Sequence, residues 1–279
     1  MDLVLDFCDQ YFLTPYIYPS HWSEDWIVRQ AISLYLITTI GGGLLYYLTA
    51  TLNYWMVFDH DLEKHPHFLK DQVRLEIKTS LEAIPIMSFL TVVAFLLEVR
   101  GYSQLYDDIN LYGGIGFAIF SMVSFLLFTD MGIYWIHRFL HTRYVYKYIH
   151  KPHHKWKIAS PFASHAFHPI DGFMQSLPYH IYPFLFPLHK LTYLGLFVFV
   201  NIWTVSIHDG HCRVPALLRS VVNGSAHHTD HHVYFDYNYG QFFTLWDKLG
   251  KSYRHPSSFD GKAPLDEVKR LLDKRDKSQ

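Results

Sequence analysis

The sequence predicts an all-α membrane protein, a bundle of several spanning helices with a histidine-rich helical cap on its cytosolic side. Three observations predict it: long uncharged stretches, an uneven distribution of basic residues, and three clusters of histidine. The 279 residues suit one large domain or a membrane unit of that size. Half of the residues are hydrophobic and 18% are aromatic, which is more apolar than an ordinary soluble enzyme.

Charge and cysteine content exclude several classes of protein. A formal net charge of -1 offers no basic surface for nucleic acid, so we expect no nucleic-acid partner. Cys8 and Cys212 are the two cysteines of the chain, which indicates neither a disulfide framework nor a thiolate metal site. Acidic residues at the start, rather than a basic region before an apolar core, argue against a signal peptide.

The chain divides into four predicted regions. Residues 1–28 are rich in tyrosine and tryptophan and are expected to lie at the membrane interface. Residues 29–130 hold the membrane spans, because residues 30–58, 83–97 and 109–129 carry no charge. The histidine-rich region runs from 131 to 255 and the charged cytosolic tail from 256 to 279.

Within the third region, residues 172–208 form a predicted membrane hairpin whose single charge is Lys190. Pro178, Pro183 and Pro187 are expected to break its first arm, which makes that arm re-entrant or interfacial. In the first span, the glycines at 41–43 predict either a close approach of another helix or a flexible kink.

The basic residues predict the orientation. If the spans alternate and the histidine clusters face the cytosol, 21 of the 24 Lys and Arg residues lie on the cytosolic side. That distribution follows the positive-inside rule, so the histidine clusters and the C-terminus are predicted to be cytosolic.

Each histidine cluster has the spacing of neighbours on a helix. Residues at i, i+3 and i+4 share one helix face, so each cluster aims several imidazoles at one point. Eight to ten imidazoles exceed the needs of one ion and predict two, and imidazole suits iron, copper and zinc alike. His208 ends a span on the same side, beside Asp209, and is added to the predicted ligands. The predicted ligands are His137, His141, His150, His153, His154, His208, His228, His231 and His232.

Six further residues are candidates for additional ligation or for support of the ligands. His165 and His168 follow the second cluster and either complete a coordination sphere or form structural hydrogen bonds. Asp130 either accepts a hydrogen bond from an imidazole or marks the end of a span near the headgroups. His227, Asp209 and Asp230 lie within or beside the predicted ligands.

The chain resembles the fatty acid hydroxylase superfamily of membrane di-iron oxidases through HX3H at 137–141 and HX2HH at 150–154 and 228–232. The longer segments HKPHHKWKIASPFASHAFHPIDGFMQSLPYHIYP and NGSAHHTDHHVYFDYNYGQFFTLWDKLG resemble the sterol C5-desaturases within it. This resemblance implies two iron ions on the nine histidines, although zinc can replace iron in isolated protein.

The resemblance also implies the reaction and the partners. Two hydrogens leave C5 and C6 of a Δ7-sterol, converting lathosterol to 7-dehydrocholesterol, while O2 is reduced to water. Electrons come from NADH through cytochrome b5 and its reductase, in the endoplasmic reticulum membrane. No haem motif of a fused cytochrome b5 is present in the sequence, so the donor is expected to be a separate protein.

Two alternatives stand beside this interpretation. One is another lipid oxidase of the superfamily, a C4-sterol methyl oxidase or a fatty acid hydroxylase. The other is a non-redox multispan zinc-binding or transport protein, which is expected to carry ionisable residues inside its spans. The histidine clusters instead lie at the ends of the uncharged stretches, which favours a reaction site at the membrane surface.

Overall fold

The computed structural model describes residues 1–211 and 214–277, so Cys212 lies outside the described residues. The described chain is mostly helical and has almost no strands, which confirms the all-α prediction. The helices are α1 (Asp2–Cys8), α2 (Thr14–Tyr16), α3 (Ile27–Met56), α4 (Gln72–Val99), α5 (Ile115–Leu140), α6 (Arg143–Val145), α7 (Pro169–Leu185), α8 (Lys190–Ile207), α9 (Ser225–Tyr234), α10 (Leu245–Leu249) and α11 (Pro264–Asp276). Two-residue strands β1 (Leu105–Tyr106) and β2 (Leu188–His189) pair in parallel.

Four helices among the described residues are long and apolar enough to cross a membrane: α3, α4, α5 and α8. Helix α3 packs on α4 and α8, and α7 packs on α4 and α5. Aromatic and aliphatic side chains of α5, α7 and α8 form the largest core cluster, which includes Phe125, Tyr182 and Val200. The multispan bundle is therefore as predicted.

The helices extend further than the uncharged stretches do. Helix α4 begins at Gln72 and α5 continues through Asp130 to Leu140, so each adds at least one polar turn on the histidine side of the bundle. Because helical hydrogen bonds are satisfied within the segment, a spanning helix continues into the interface without penalty. The extended end of α5 carries the first histidine cluster.

The prolines do not break the first arm of the hairpin, and that expectation was wrong. Helix α7 is continuous and contains both Pro178 and Pro183. A Cβ atom added at Gly132 of α5 would lie 2.6 Å from Cγ of Pro178, so the proline ring packs into the space that the glycine leaves. Pro187 lies beyond the end of α7, just before β2. Packing between neighbouring helices thus accommodates the prolines.

The glycines of α3 also differ from expectation. A Cβ atom built on Gly41, Gly42 or Gly43 meets no atom within 4 Å outside its own helix. No neighbouring helix therefore comes close at these positions, and α3 continues through them without interruption. Gly41 and Gly42 line an internal cavity, whose walls are described below.

Residues 1–28 are attached to the bundle through a buried arginine. Arg29 of α3 is 2% exposed, and its guanidinium lies 3.0 Å from a carboxylate oxygen of Asp9. It also donates to the carbonyl of Trp22 and to the hydroxyl of Thr14. Since a buried charge is costly without such partners, this arginine fixes the N-terminal segment against α3.

Candidate metal centre

Nine buried or half-buried histidines converge at one end of the bundle in two adjacent groups. Each histidine offers one ring nitrogen, and within a group these nitrogens lie within 4.8 Å of one another. The first group has five members, His137, His141, His150, His154 and His231. The second has four, His153, His208, His228 and His232. They are the nine candidate ligands of the sequence analysis, eight of them chosen by their spacing and His208 by its position at the end of a span.

Five separate segments deliver these rings. His137 lies in the last turn of α5 and His141 follows its end, while His208 follows the end of α8. A π-helical turn ends at His150, and a 3-10 turn over His153–Lys155 comes next. Helix α9 supplies the other three rings.

The third histidine cluster, at residues 228–232, contributes to both groups. On α9, His228 and His232 are four residues apart and belong to the second group, whereas His231 belongs to the first. The second cluster divides similarly, because His150 and His154 belong to the first group and His153 to the second. The two short turns therefore hold the groups side by side.

Within each group the Nε2 atoms face one another. The Nε2 atoms of His137 and His150 are 3.1 Å apart, and those of His208 and His228 are 2.9 Å apart. The Nε2 atom of His231 is buried without a protein partner. Lone pairs of neutral imidazoles that meet this closely repel unless a cation lies between them, so the donor set fits two metal ions.

Backbone carbonyls orient three of these rings. The Nδ1 of His137 lies 2.9 Å from the carbonyl of Tyr239, and that of His231 lies 2.7 Å from the carbonyl of Tyr237. His208 makes the same contact with Thr204 at 2.7 Å. An imidazole that donates through Nδ1 presents its Nε2 lone pair to a metal, so these carbonyls select the tautomer that binds.

A carboxylate orients a fourth ring. Oδ2 of Asp171 lies 2.6 Å from Nδ1 of His150, and both side chains are fully buried. Gln175, one turn later on α7, donates to the other carboxylate oxygen at 2.7 Å. Sequence reasoning did not assign Asp171 this function, although an acidic residue in the first turn of an apolar helix beside the second cluster was a usable signal.

We expect the Asp171→Asn variant to lose activity about 10- to 100-fold. The neutral amide would hold the ring of His150 less strongly than the carboxylate does, and it would not raise the basicity of the imidazole. The measurement is product formation per folded protein, together with bound metal. Gln175→Leu removes the donor to the opposite carboxylate oxygen and is expected to cost less. Full activity in Asp171→Asn would show that the carboxylate does not support His150.

The three other candidate aspartates hold loops and do not contact imidazoles, which corrects the interpretation of Asp130 as a partner of a ligand. Asp130 accepts from the backbone N–H groups of Gln241 at 2.9 Å and Phe242 at 2.7 Å. Asp209 accepts from the Ser225 hydroxyl at 2.8 Å, at the start of α9. Asp230 accepts from the guanidinium of Arg254 and from Ser257.

Asp247 acts like Asp130 on the same loop. Its two carboxylate oxygens accept from the backbone N–H groups of Tyr239 at 2.8 Å and Gly240 at 2.9 Å. The loop over residues 237–243 therefore lies between two buried carboxylates. Because this loop carries the carbonyls that orient His137 and His231, Asp130 and Asp247 position ligands through the backbone.

His165, His168 and His227 lie outside both groups. His168 precedes α7, and its Nδ1 accepts from the backbone N–H of Ile170 at 3.2 Å, which explains its position as a helix cap. His165 is bonded to Asn201 at 3.2 Å. His227 is fully buried, and its ring faces away from the centre toward Phe259 and Tyr253.

Burial favours the neutral form of six of the candidate ligands. It lowers the pKa of His153, His154, His228, His231 and His232 well below the usual value, and the neighbouring imidazoles lower it further. Burial likewise lowers the pKa of His208 to about 4. Neutral imidazole is the form that binds metal, so the groups need no deprotonation near neutral pH.

An apolar cavity of about 320 Å³ lies against the centre, within the helical bundle. Four candidate ligands from both groups form part of its wall: His137, His153, His208 and His228. Phe95, Tyr179 and Phe197 also line the cavity, with Gly41 and Gly42. A largely apolar molecule in this cavity can therefore contact both histidine groups.

Comparison with known proteins agrees with this geometry. The family model described as fatty acid hydroxylase matches residues 122–252. The chain is 63% identical to lathosterol oxidase of Homo sapiens over 98% of this chain and 92% of the human protein. It is 62% identical to lathosterol oxidase of Mus musculus over 100% of this chain and 93% of the mouse protein.

The similarity extends to fungi. The chain is 54% identical to a Δ7-sterol 5(6)-desaturase of Schizosaccharomyces pombe over 92% of this chain and 84% of the yeast protein. No solved structure matches.

Proposed function

Because the chain belongs to the sterol C5-desaturase group of the fatty acid hydroxylase family, we propose that it introduces the C5–C6 double bond into a Δ7-sterol, converting lathosterol to 7-dehydrocholesterol. The observation that carries the proposal is the nine-imidazole centre, which opens onto an apolar cavity inside the bundle. An apolar substrate and a centre that can hold two metal ions meet there without water.

The electrons balance in the following way. The sterol loses two hydrogen atoms, which amount to two protons and two electrons. NADH supplies two more electrons, and NADH and the medium supply one proton each. One O2 takes the four electrons and four protons and becomes two molecules of water. Bound iron would supply the activation of oxygen that removal of hydrogen from these C–H bonds requires, and no side chain in the cavity can replace it. The same imidazoles accept zinc in isolated protein.

The side chains of the centre would hold the two metal ions, and the cavity would shield the sterol. The first group would hold one ion through five imidazoles and the second another through four, oriented by Asp171 and by the carbonyls of residues 204, 237 and 239. The cavity places the sterol beside His137 and His153 and excludes water, which protects the reaction from side products.

The test is sterol analysis of membranes from cells that lack C5-desaturase and express this chain. We expect conversion of lathosterol to 7-dehydrocholesterol, and loss of that product in His153→Ala. Oxidation at the C4 methyl groups or on a fatty acid instead would assign the chain to another lipid oxidase. No product from well-expressed chain with cytochrome b5 present would contradict the proposal.

Four exposed lysines beside the second cluster support cytochrome b5 as the electron donor: Lys147, Lys151, Lys155 and Lys157. They form a positive surface next to the centre, which suits an acidic partner. This surface would lie on the cytosolic side of the endoplasmic reticulum membrane. Charge attraction of this kind speeds association and weakens with salt.

We expect charge reversal at Lys151 and Lys155 to lower turnover with cytochrome b5 about tenfold at low salt, and to flatten its dependence on ionic strength. Reversal at Lys274 of α11, an exposed lysine on the C-terminal helix, is the matched control. If turnover did not depend on ionic strength and did not change on charge reversal at Lys151 and Lys155, this docking surface would be excluded.

A further inference from the structure

His180 is an imidazole inside the bundle that neither histidine group uses. It lies on α7, is 4% exposed, and lines the apolar cavity. Phe95 packs edge-on against its ring at a centroid distance of 5.1 Å, and Phe197 lies at 6.2 Å. Its Nδ1 is buried without a hydrogen-bond partner.

Several other polar groups of the cavity wall have partners within the protein. The ring of His165 forms hydrogen bonds with Ser164 and Asn201, and Gln175 forms one with Asp171. The hydroxyl of Thr204 donates to the carbonyl of Val200. An imidazole nitrogen left without a partner in an apolar site is unfavourable, so the position of His180 indicates a ligand that completes it.

We propose that His180 binds the hydroxyl group of the sterol and so sets the orientation of the substrate in the cavity. This inference rests on the proposed function and names a residue that would determine its specificity. A Δ7-sterol is a hydrocarbon apart from one hydroxyl on C3. Burying that hydroxyl without a hydrogen bond is unfavourable, so the cavity must offer it a partner.

The position of His180 along α7 agrees with this assignment. Asp171 contacts the candidate ligand His150, and His180 follows nine residues later, roughly 13 Å along the helix axis. Helical side chains lean toward the N-terminus of their helix, so the imidazole leans back toward the centre. In the sterol, C3 is two bonds from C5, so its hydroxyl lies just beyond the reacting carbons.

The experiment compares lathosterol with the same Δ7-hydrocarbon lacking the hydroxyl, using the full chain with cytochrome b5 and its reductase. Unchanged protein is expected to prefer lathosterol at least about tenfold in kcat/KM. His180→Phe keeps a ring of similar size without nitrogen and is expected to turn over both compounds at nearly equal kcat/KM. His180→Gln keeps a hydrogen-bonding group and is expected to retain part of the preference.

His165→Phe is the matched control, because His165 is also a buried histidine of the cavity wall but has partners on both nitrogens. A His180→Phe variant that loses activity on both compounds equally, with the preference intact, would overturn the inference and leave His180 a packing role. Loss of the preference in His165→Phe instead would move the hydroxyl site there. If unchanged protein converted neither compound, the proposed function itself would fail.

Discussion

Replacement of His231 by alanine is expected to abolish desaturation and to reduce the bound metal. His231 is fully buried, its Nδ1 is bonded to the carbonyl of Tyr237, and its Nε2 faces the first group without another partner. Removing the ring takes away one of five donors and leaves a gap that no nearby side chain fills. The measurement is metal per folded protein by elemental analysis, alongside product formation.

His227→Ala is the matched control for that experiment. His227 lies on the same helix and is equally buried, but its ring faces Tyr253 and Phe259. We expect this variant to keep its metal content, even where the loss of packing lowers its stability by about 2–4 kcal/mol. Equal metal loss in both variants would mean that His231 acts through folding of α9 and not as a ligand.

Replacement of Gly42 by phenylalanine is expected to lower turnover at least about tenfold by filling the cavity. Gly42 lines the cavity, and a Cβ atom there meets nothing within 4 Å, so a larger side chain starts in open space. The space it occupies is the space proposed for the sterol. The expected signature is a raised KM with unchanged metal content.

Gly43→Phe is the control, because Gly43 also has open space around it but does not line the cavity. Both substitutions change the same helix by the same side chain, so effects on membrane insertion are shared. Similar loss in the two variants would attribute the defect to α3 itself. Unchanged turnover in Gly42→Phe would place the substrate elsewhere.

The convergence of the nine histidines was predictable from the sequence, because eight of them have helical spacing within three clusters and His208 ends a span on the same side. Their division into groups of five and four was not predictable. It depends on the π-helical turn before His150 and the 3-10 turn after Pro152, which send His153 to a different group from its neighbours. Such short turns have no periodic pattern in the sequence.

The partners that orient the ligands were harder still to predict. Three are backbone carbonyls, which every residue possesses, so no side chain marks them. Asp171 was overlooked because its contact with His150 crosses between segments 21 residues apart. The continuous path of α7 through Pro178 was missed for a similar reason, since it depends on Gly132 of another helix.

The loop over residues 237–243 makes the centre sensitive to chain length. Asp130 and Asp247 hold this loop by its backbone N–H groups, and the same loop presents the carbonyls that His137 and His231 require. Many side chains can change here while those amides and carbonyls stay in place. Insertion or deletion of one residue would shift both carbonyls out of register with their rings at once. Relatives that keep this chemistry should therefore vary in the composition of the loop and not in its length.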